Sequence, residues 1–375
     1  MKKKILLIPL ALVLIASLIA CAAPAPAPAP TTTVTAPAPA PTTTTVTAPA
    51  PAPTTTTVTA PAPDKRSYHW KYSGLRSPEH FISLEIEAFV DRIAELSDGR
   101  IQIDYHPANV LGDWVTVFGE VMRGTIEMQM TSYNTVHDPR LNVVWIPYGV
   151  TNWEEADSVY SPGGFIWEKS YDMNRALGVE TLAAIPSGFI GMGASKLPPS
   201  PGDPDVNKGM KIRVWGAIPP EKLMERFGYL PTVMPWSEVF SALQMGVIEA
   251  AYGPSVISAY DNIRDVISYW LPYRGNYESH ISIMNAELFD SLSYEDQDII
   301  MTASSEWRAV RSAAAEAQEQ EYIQKMTDYG VEVVEFTQAE YDNFRVIAAA
   351  DVWPALEPII GKALLDEALA AIGGG

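Results

Sequence analysis

A tract of alanine, proline and threonine occupies residues 22–63 and confines any folded core to the rest of the chain. Within it, the segment TTTTVTAPAPAP begins at Thr42, and nearly the same segment begins again at Thr54. Alternating proline favours extended polyproline geometry, and one valine in each unit leaves almost no apolar surface to bury. We therefore predict a semi-rigid tether in residues 21–65, with a short-period structural repeat as the alternative.

The N-terminus has the features of a bacterial export signal. Three lysines at positions 2–4 precede an apolar run from Ile5 to Ala20, and Cys21, the only cysteine in the chain, follows. That run is shorter than the roughly 20 residues of a membrane-spanning helix. The residues LIAC at 18–21 resemble the lipobox of bacterial lipoproteins, in which the cysteine is acylated and the peptide is cut before it. We predict a signal peptide in residues 1–20 and a lipid anchor on Cys21; an ordinary signal peptide is the alternative.

Charge and motif content exclude several functional classes. The formal net charge is −19 with no basic cluster outside the signal, so we expect no nucleic-acid partner. Once Cys21 carries the anchor, the folded part has no thiol for a disulfide, a metal or a nucleophile. The five histidines lack metal-ligand spacing, and HExxH, GxSxG, phosphate-loop and GxGxxG motifs are absent from the sequence. We expect no metal, no cofactor and no catalysis; a secreted hydrolase with an unrecognised site is the enzymatic alternative.

From Asp64 onward, short β-like runs alternate with amphipathic helical stretches, which is typical of an α/β protein. Helical stretches show apolar residues at intervals of three and four, and several of them stop at a glycine. The pattern predicts strands near residues 67–72, 100–105, 126–130, 211–215 and 331–336, and helices near 81–96, 113–123, 220–227, 237–245 and 294–329.

Arg213 interrupts an otherwise apolar strand pattern. Alternation puts Ile212 and Val214 on one face and Arg213 on the other. A buried arginine is costly without an anion, and its planar guanidinium matches a carboxylate with two hydrogen bonds. Taken alone, a surface or structural arginine remains the alternative. Aromatic residues at predicted strand ends and in loops are candidates to line a cleft, with core packing as their alternative: Tyr133, Trp215, Trp236 and Tyr252.

Four segments occur in a characteristic order. They are SDGRIQIDYHPANVLG from Ser97, MRGTIEM from Met122, NKGMKIRV from Asn207 and MPWSEVFSALQMGVIEA from Met234. In sequence, order and spacing they resemble the extracytoplasmic solute-binding proteins of TRAP transporters, the DctP family. The resemblance extends from residue 67 to about residue 350. It implies a two-lobed, periplasmic-binding-protein-like α/β fold, with a ligand cleft between the lobes and a long helix spanning both.

The resemblance also implies a division of the folded part into two discontinuous lobes. The first lobe would comprise residues 66–191 and 279–318, and the second would comprise residues 192–278 and 319–375. Closure of such lobes on a ligand is a hinge motion.

Roles for individual residues follow from the resemblance. Arg213 would hold the ligand carboxylate, and Trp236 would pack on the ligand. Many relatives have asparagine where Gly253 stands, and metal-binding relatives have a Glu-Trp pair where this chain has Ala251-Tyr252, so a metal site is not expected. The second basic residue of the family has only Lys196 as its counterpart upstream. The expected ligand-binding residues are Ser73, Arg76, Ser132, Tyr133, Arg213, Trp215, Trp236, Tyr252 and Gly253.

The function implied is capture of a small organic acid outside the cell membrane and its delivery to a TRAP membrane permease. The protein is expected to be a monomer, held at the outer face of the membrane by its N-terminal lipid. A lipoprotein sensor of the same fold, which presents its ligand to a receptor, is the alternative. Few polar anchors and many tryptophans favour a monocarboxylate with an apolar or aromatic body.

Overall fold

The computed structural model describes residues 66–372. The predicted signal peptide, the anchor at Cys21 and the tether lie outside the described residues, as do the last three glycines.

Ten strands occur in the described part of the chain. They are β1 (Tyr68–Gly74), β2 (Ile101–His106), β3 (Met128–Thr131), β4 (Val179–Ala194), β5 (Lys211–Val214), β6 (Leu230–Val233), β7 (Ala250–Ser255), β8 (Tyr269–Leu271), β9 (Tyr277–Asn285) and β10 (Glu332–Val333).

The α-helices between residues 66 and 372 are α1 (Phe81–Leu96), α2 (Trp114–Arg123), α3 (Trp153–Tyr160), α4 (Phe165–Ala176), α5 (Ile218–Arg226), α6 (Trp236–Gln244), α7 (Val256–Ile263), α8 (Ala286–Ser291), α9 (Tyr294–Tyr329), α10 (Gln338–Ile347), α11 (Glu357–Ile360) and α12 (Lys362–Ala371). Short 3₁₀ turns occupy Pro139–Trp145, Arg264–Val266 and Pro354–Leu356, and one π-helical turn occupies Ala348–Val352. None of these helices is both long enough and apolar enough to cross a membrane.

The strands form one mixed sheet in the order β2-β1-β3-β9-β4-β7-β5-β6, and β8 joins β4 to β10. At one end, β1 pairs in parallel with β2 and β3; at the other, β5 pairs in parallel with β6 and β7. Between these sets lie β4 and β9, which are antiparallel to each other and buried along their whole lengths. The carboxyl ends of parallel strands in α/β sheets are the usual place for a ligand.

The pairing of β4 with β9 is irregular around Gly188. The register shifts between Pro186 and Gly188, and the φ angle of Gly188 is +126°, a conformation that disfavours side chains. Beside this bulge, the backbone N–H of Phe189 donates to Glu319 Oε2 at 3.0 Å, and Arg274 pairs with the other oxygen of Glu319. The middle of α9 is therefore fixed to the irregular part of the central strands.

Helix α9 runs past both sets of strands. Near its N-terminus, Ile300 and Trp307 pack in a core cluster with α1, whereas Met326 near its C-terminus packs in another cluster with α7. Ser293 caps the first turn, and Gly330, at φ +101°, ends the helix. The observed bounds agree with the predicted helix at residues 294–329.

The late strand predicted at residues 331–336 is shorter than expected. Only Glu332 and Val333 form β10, which pairs with β8. Phe336 instead turns into an aromatic cluster, with its ring centre 4.9 Å from that of Tyr273, and Thr337 begins α10 as its N-cap. The packing of the Phe336 ring and the helix cap formed by Thr337 outweigh the β propensity of the segment.

Candidate functional site

A cavity of about 110 Å³ lies at the carboxyl ends of the parallel strands from both ends of the sheet. Leu75 and Arg76 follow β1, and Ser132 follows β3. On the opposite side, Arg213 comes from β5, and Trp236 follows β6 as the first residue of α6. The two parallel sets thus face each other across one space, the arrangement expected of a binding cleft.

Arg213 is a buried cation on this cavity. Its side chain is 6% exposed overall, while Ile212 and Val214 are in the core, as the alternation predicted. Nε donates to the carbonyl of Met234 at 3.0 Å, and the guanidinium carbon lies 5.3 Å from the ring centre of Trp236. Within residues 66–372, no acceptor pairs with the two terminal nitrogens. Burial, with a smaller effect from Arg76, lowers the pKa of Arg213 to about 9, as expected for a charge that lacks its counter-ion.

Arg76, by contrast, has its own counter-ion. Its Nη2 donates to Glu278 Oε1 at 2.9 Å and to His280 Nε2 at 3.0 Å. Burial, then Arg76, holds the pKa of His280 well below its usual value, so the imidazole is neutral. Since Nε2 accepts from Arg76, the imidazole proton is on Nδ1 and is donated to Ser187 Oγ at 2.7 Å. The other oxygen of Glu278 accepts from the backbone N–H of Ser255 at 3.3 Å.

The charges at the cavity therefore leave one positive charge without compensation. Arg76 and Arg213 are cations, Glu278 is an anion paired to Arg76, and His280 is neutral. Asp113 also lines the cavity but is exposed to solvent, and its carboxylate caps α2 at the N–H of Val115. A single negative charge placed at Arg213 would balance the buried groups.

Four tryptophans line the cavity: Trp114, Trp145, Trp215 and Trp236. The rings of Trp145 and Trp215 meet edge to face, with centres 5.2 Å apart. Behind them, Tyr252 stacks on Trp215 at 6.0 Å and so supports it. The indole N–H groups of Trp145 and Trp215 are buried, and neither has a hydrogen-bond partner in the described part of the chain.

Because Gly253 has no side chain, the indole of Trp215 and the guanidinium of Arg213 can both lie close to its backbone. Its φ angle is +134°, and a Cβ there would lie 2.8 Å from Arg213 Nη1 and 2.9 Å from Trp215 Cε3. Both distances are shorter than ordinary contacts, so a side chain at this position would displace one of the two groups.

The structure brings six of the nine expected ligand-binding residues onto the cavity. They are Arg76, Ser132, Arg213, Trp215, Trp236 and Gly253. Ser73, Tyr133 and Tyr252 do not line it. Lys196, the counterpart considered for a second basic residue, instead pairs with Glu249 on the surface. The second guanidinium at the cavity belongs to Arg76.

The three residues away from the cavity are held elsewhere by packing. Ser73 is a buried residue within β1, paired with both neighbouring strands. Tyr133 is buried with its ring edge-on to Trp145, and Tyr252 donates its hydroxyl proton to Asn276. Side chains alternate along extended chain, so the neighbours Ser132 and Gly253 face the cavity instead.

Sequence reasoning missed ten of the sixteen cavity residues. Glu278 and His280 lie on one face of β9, but the polar residues Ser279 and Ser282 remove the alternation that would have revealed them. The others had no distinguishing pattern either: Leu75, Asn109, Asp113, Trp114, Trp145, Ile190, Ser237 and Pro254. Between residues 66 and 372, no group of three or more His, Cys, Asp or Glu side chains could hold a metal ion.

Comparison with known proteins identifies the family. The profile of the DctP family, described as bacterial extracellular solute-binding protein family 7, matches residues 72–355. The chain belongs to this family. The DctP assignment drawn from the four sequence segments is confirmed, and it makes the chain a TRAP solute-binding protein that works outside the cytoplasm.

DctP relatives match over most of their lengths. A solute-binding protein of Roseobacter denitrificans is 26% identical over 301 residues, covering 78% of this chain and 90% of the relative. The 2,3-diketo-L-gulonate-binding periplasmic protein of Escherichia coli is 24% identical over 248 residues, covering 66% of this chain and 74% of the relative. The solved structure of the sugar acid binding protein of Advenella mimigardefordensis with galactonate has a TM-score of 0.75 at 21% identity, covering 82% of this chain and 99% of that one. The similarity to this solved structure confirms the predicted α/β fold.

Mild acid is expected to destabilise this DctP protein through His280. The pKa of His280 is lowered in the folded state, so between that pKa and about 6.5 the unfolded chain binds a proton that the folded chain does not. The free energy of unfolding then falls as the pH falls below about 6.5, by up to about 1.4 kcal/mol per pH unit for this group. Denaturant titrations at pH 7, 6 and 5 measure the slope.

His280→Gln should have a shallower slope than the unmodified protein over the same pH range. His80 is also buried, and burial lowers its pKa as well, so part of the slope will remain in that variant. His69, whose side chain is 63% exposed, provides the control substitution His69→Gln. Equal slopes for His280→Gln and the unmodified protein would contradict the neutral imidazole at the site.

Proposed function

We propose that this protein is the extracytoplasmic solute-binding component of a TRAP-type secondary transporter, and that it captures a small organic acid by pairing the acid's carboxylate with Arg213. The observation that carries this proposal is the buried guanidinium of Arg213 at the cavity, whose two terminal nitrogens have no acceptor among residues 66–372. A planar guanidinium can donate two parallel hydrogen bonds to a carboxylate.

The relatives support an organic acid as the ligand. The Escherichia coli relative is named for binding 2,3-diketo-L-gulonate, and the Advenella mimigardefordensis protein was solved with galactonate. Family members and structural neighbours are binding proteins rather than enzymes. On this basis the ligand is bound and released unchanged, and a membrane permease receives it.

Closure of two lobes would enclose the ligand. The first lobe comprises residues 66–191 and 279–318, and the second comprises residues 192–278 and 319–375. In support of this division, Arg76 and Ser132 reach the cavity from the first lobe, and Arg213 and Trp236 reach it from the second. A hinge motion would let both sets contact one ligand together.

The protein would act as a monomer held to the outer face of the cell membrane by lipid on Cys21. Acyl chains contribute about 0.8 kcal/mol per buried methylene, so two or more chains hold a protein stably. The Ala/Pro/Thr-rich tether would then give the folded part freedom to reach the permease. Labelling of growing cells with a radioactive fatty acid tests the anchor, because Cys21→Ser should abolish incorporation.

Recovery of the natural ligand tests the proposed function directly. The purified protein is denatured, the released small molecules are identified by mass spectrometry, and each acid is titrated back by calorimetry. We expect an organic acid that rebinds with a Kd of about 1 µM or lower and is recovered unchanged after long incubation. Chemical conversion of that acid, or the absence of any organic acid that binds, would contradict the proposal.

A further inference from the structure

We infer that the ligand of this cavity is a planar aromatic monocarboxylate with one ring. This inference rests on the proposed function, because it specifies the acid that Arg213 holds. Three observations support it: the charges, the tryptophan walls and the size of the cavity.

The charges favour one carboxylate. Arg213 has two terminal nitrogens to offer, whereas the Nη2 of Arg76 is already bonded to Glu278 and His280. A second carboxylate would meet the carboxylate of Glu278, whose side chain is 10% exposed and so weakly screened. A ligand ammonium group would find both oxygens of Glu278 engaged, one by Arg76 and the other by the backbone of Ser255.

The tryptophans favour a flat, apolar body. Trp215 is backed by Tyr252 on one side and meets Trp145 at its edge, so a planar ligand would gain fixed aromatic neighbours. Gly253 keeps this indole directly beside the carboxylate-binding guanidinium. A sugar acid needs a polar partner for each hydroxyl group, and the neutral amide and hydroxyl side chains of the lining are Asn109, Ser132 and Ser237.

The volume favours a single ring. The cavity measures about 110 Å³, which is of the same order as the ~150 Å³ engineered protein cavity that accommodates benzene. A single six-membered ring that carries a carboxylate therefore suits this space.

Calorimetry with a matched set of acids at pH 7.5 tests the inference on the full chain after removal of any bound ligand. The set comprises benzoate, cyclohexanecarboxylate, succinate and galactonate. We expect benzoate to bind at least ten-fold more tightly than the other three acids.

Two variants test the contacts. Trp215→Leu keeps an apolar side chain but removes the aromatic ring, so it should reduce the advantage of benzoate over cyclohexanecarboxylate at least three-fold. Trp167→Leu is the control and should leave that advantage unchanged, because Trp167 stacks on Tyr171 and does not line the cavity.

The outcomes separate this inference from the proposed function. If succinate, galactonate or cyclohexanecarboxylate binds as tightly as benzoate or more tightly, and Arg213→Ala abolishes that binding, the ligand class is wrong while the proposed function stands. If Arg213→Ala leaves the binding of every acid unchanged, the proposed function fails as well.

Discussion

Arg213→Ala is expected to weaken binding of the recovered acid by about 2–5 kcal/mol, a factor of roughly 30 to 5,000 in Kd. The guanidinium is buried at the cavity, and its terminal nitrogens have no acceptor in the described structure, so the ligand carboxylate would be its main partner. Without it, the carboxylate enters a desolvated space whose remaining cation, Arg76, is already paired with Glu278. Isothermal titration of the two proteins with the same acid measures the difference.

Arg213→Lys distinguishes the planar fork from the charge alone. An ammonium group cannot form the two parallel hydrogen bonds, so this variant should bind more weakly than the unmodified protein but better than Arg213→Ala. Arg123→Ala is the matched control, because Arg123 has a side chain that is 62% exposed and lies outside the cavity lining. Equal affinities for the unmodified protein and Arg213→Ala would rule out the proposed carboxylate contact.

Glu278→Ala is expected to lower the free energy of unfolding by about 3–5 kcal/mol, the usual cost of leaving one member of a buried ion pair without its partner. The side chains of Arg76 and Glu278 are 7% and 10% exposed, and their atoms are 2.9 Å apart. Removal of the carboxylate leaves the cation of Arg76 in a site that water reaches poorly. Denaturant titration in the absence of ligand measures the loss.

Glu278→Gln tests whether charge, rather than an acceptor atom, is what the site requires. An amide oxygen can still accept from Arg76, so the loss of stability should be smaller than for Glu278→Ala. The site would then carry two uncompensated positive charges, and succinate should gain affinity relative to a monocarboxylate. Glu306→Gln is the control, because Glu306 forms an exposed pair with Arg92 and should leave stability nearly unchanged. A stable Glu278→Ala variant would show that the pair contributes little.

The sequence predicted those helices and strands in which the pattern of residues along the chain is clear. Helix α9 has a long run of good helix formers between the capping residue Ser293 and Gly330, so its ends could be assigned. Strand β5 could be assigned because apolar residues alternate around Arg213. The largest strand was not predicted: β4 is buried on both faces, so it lacks alternation, and Pro186 and Gly188 read as a break in the chain.

The residues of the site, like the strands and helices, were predictable only where the sequence pattern was clear. Arg213 could be identified because a charged residue in an apolar strand requires an explanation. Trp145 and Glu278 could not, because each comes from a segment whose structure was not assigned, and their proximity depends on how β4 and β9 bring distant parts of the chain together. Local strand geometry decides which of two adjacent residues, such as Tyr252 and Gly253, faces the cavity. The sequence alone did not determine that geometry.

The irregular pairing around Gly188 has a consequence for how such a protein can evolve. Because β4 and β9 run between the two parallel sets, any reorientation of one set against the other must bend these strands, and the bulge beside Glu319 is where they are already distorted. Under the proposed closure of the lobes, substitutions there would change how long a solute stays bound without altering any atom that touches it. Residence time and chemical selectivity would then be separately adjustable, the first in the central strands and the second in the tryptophans.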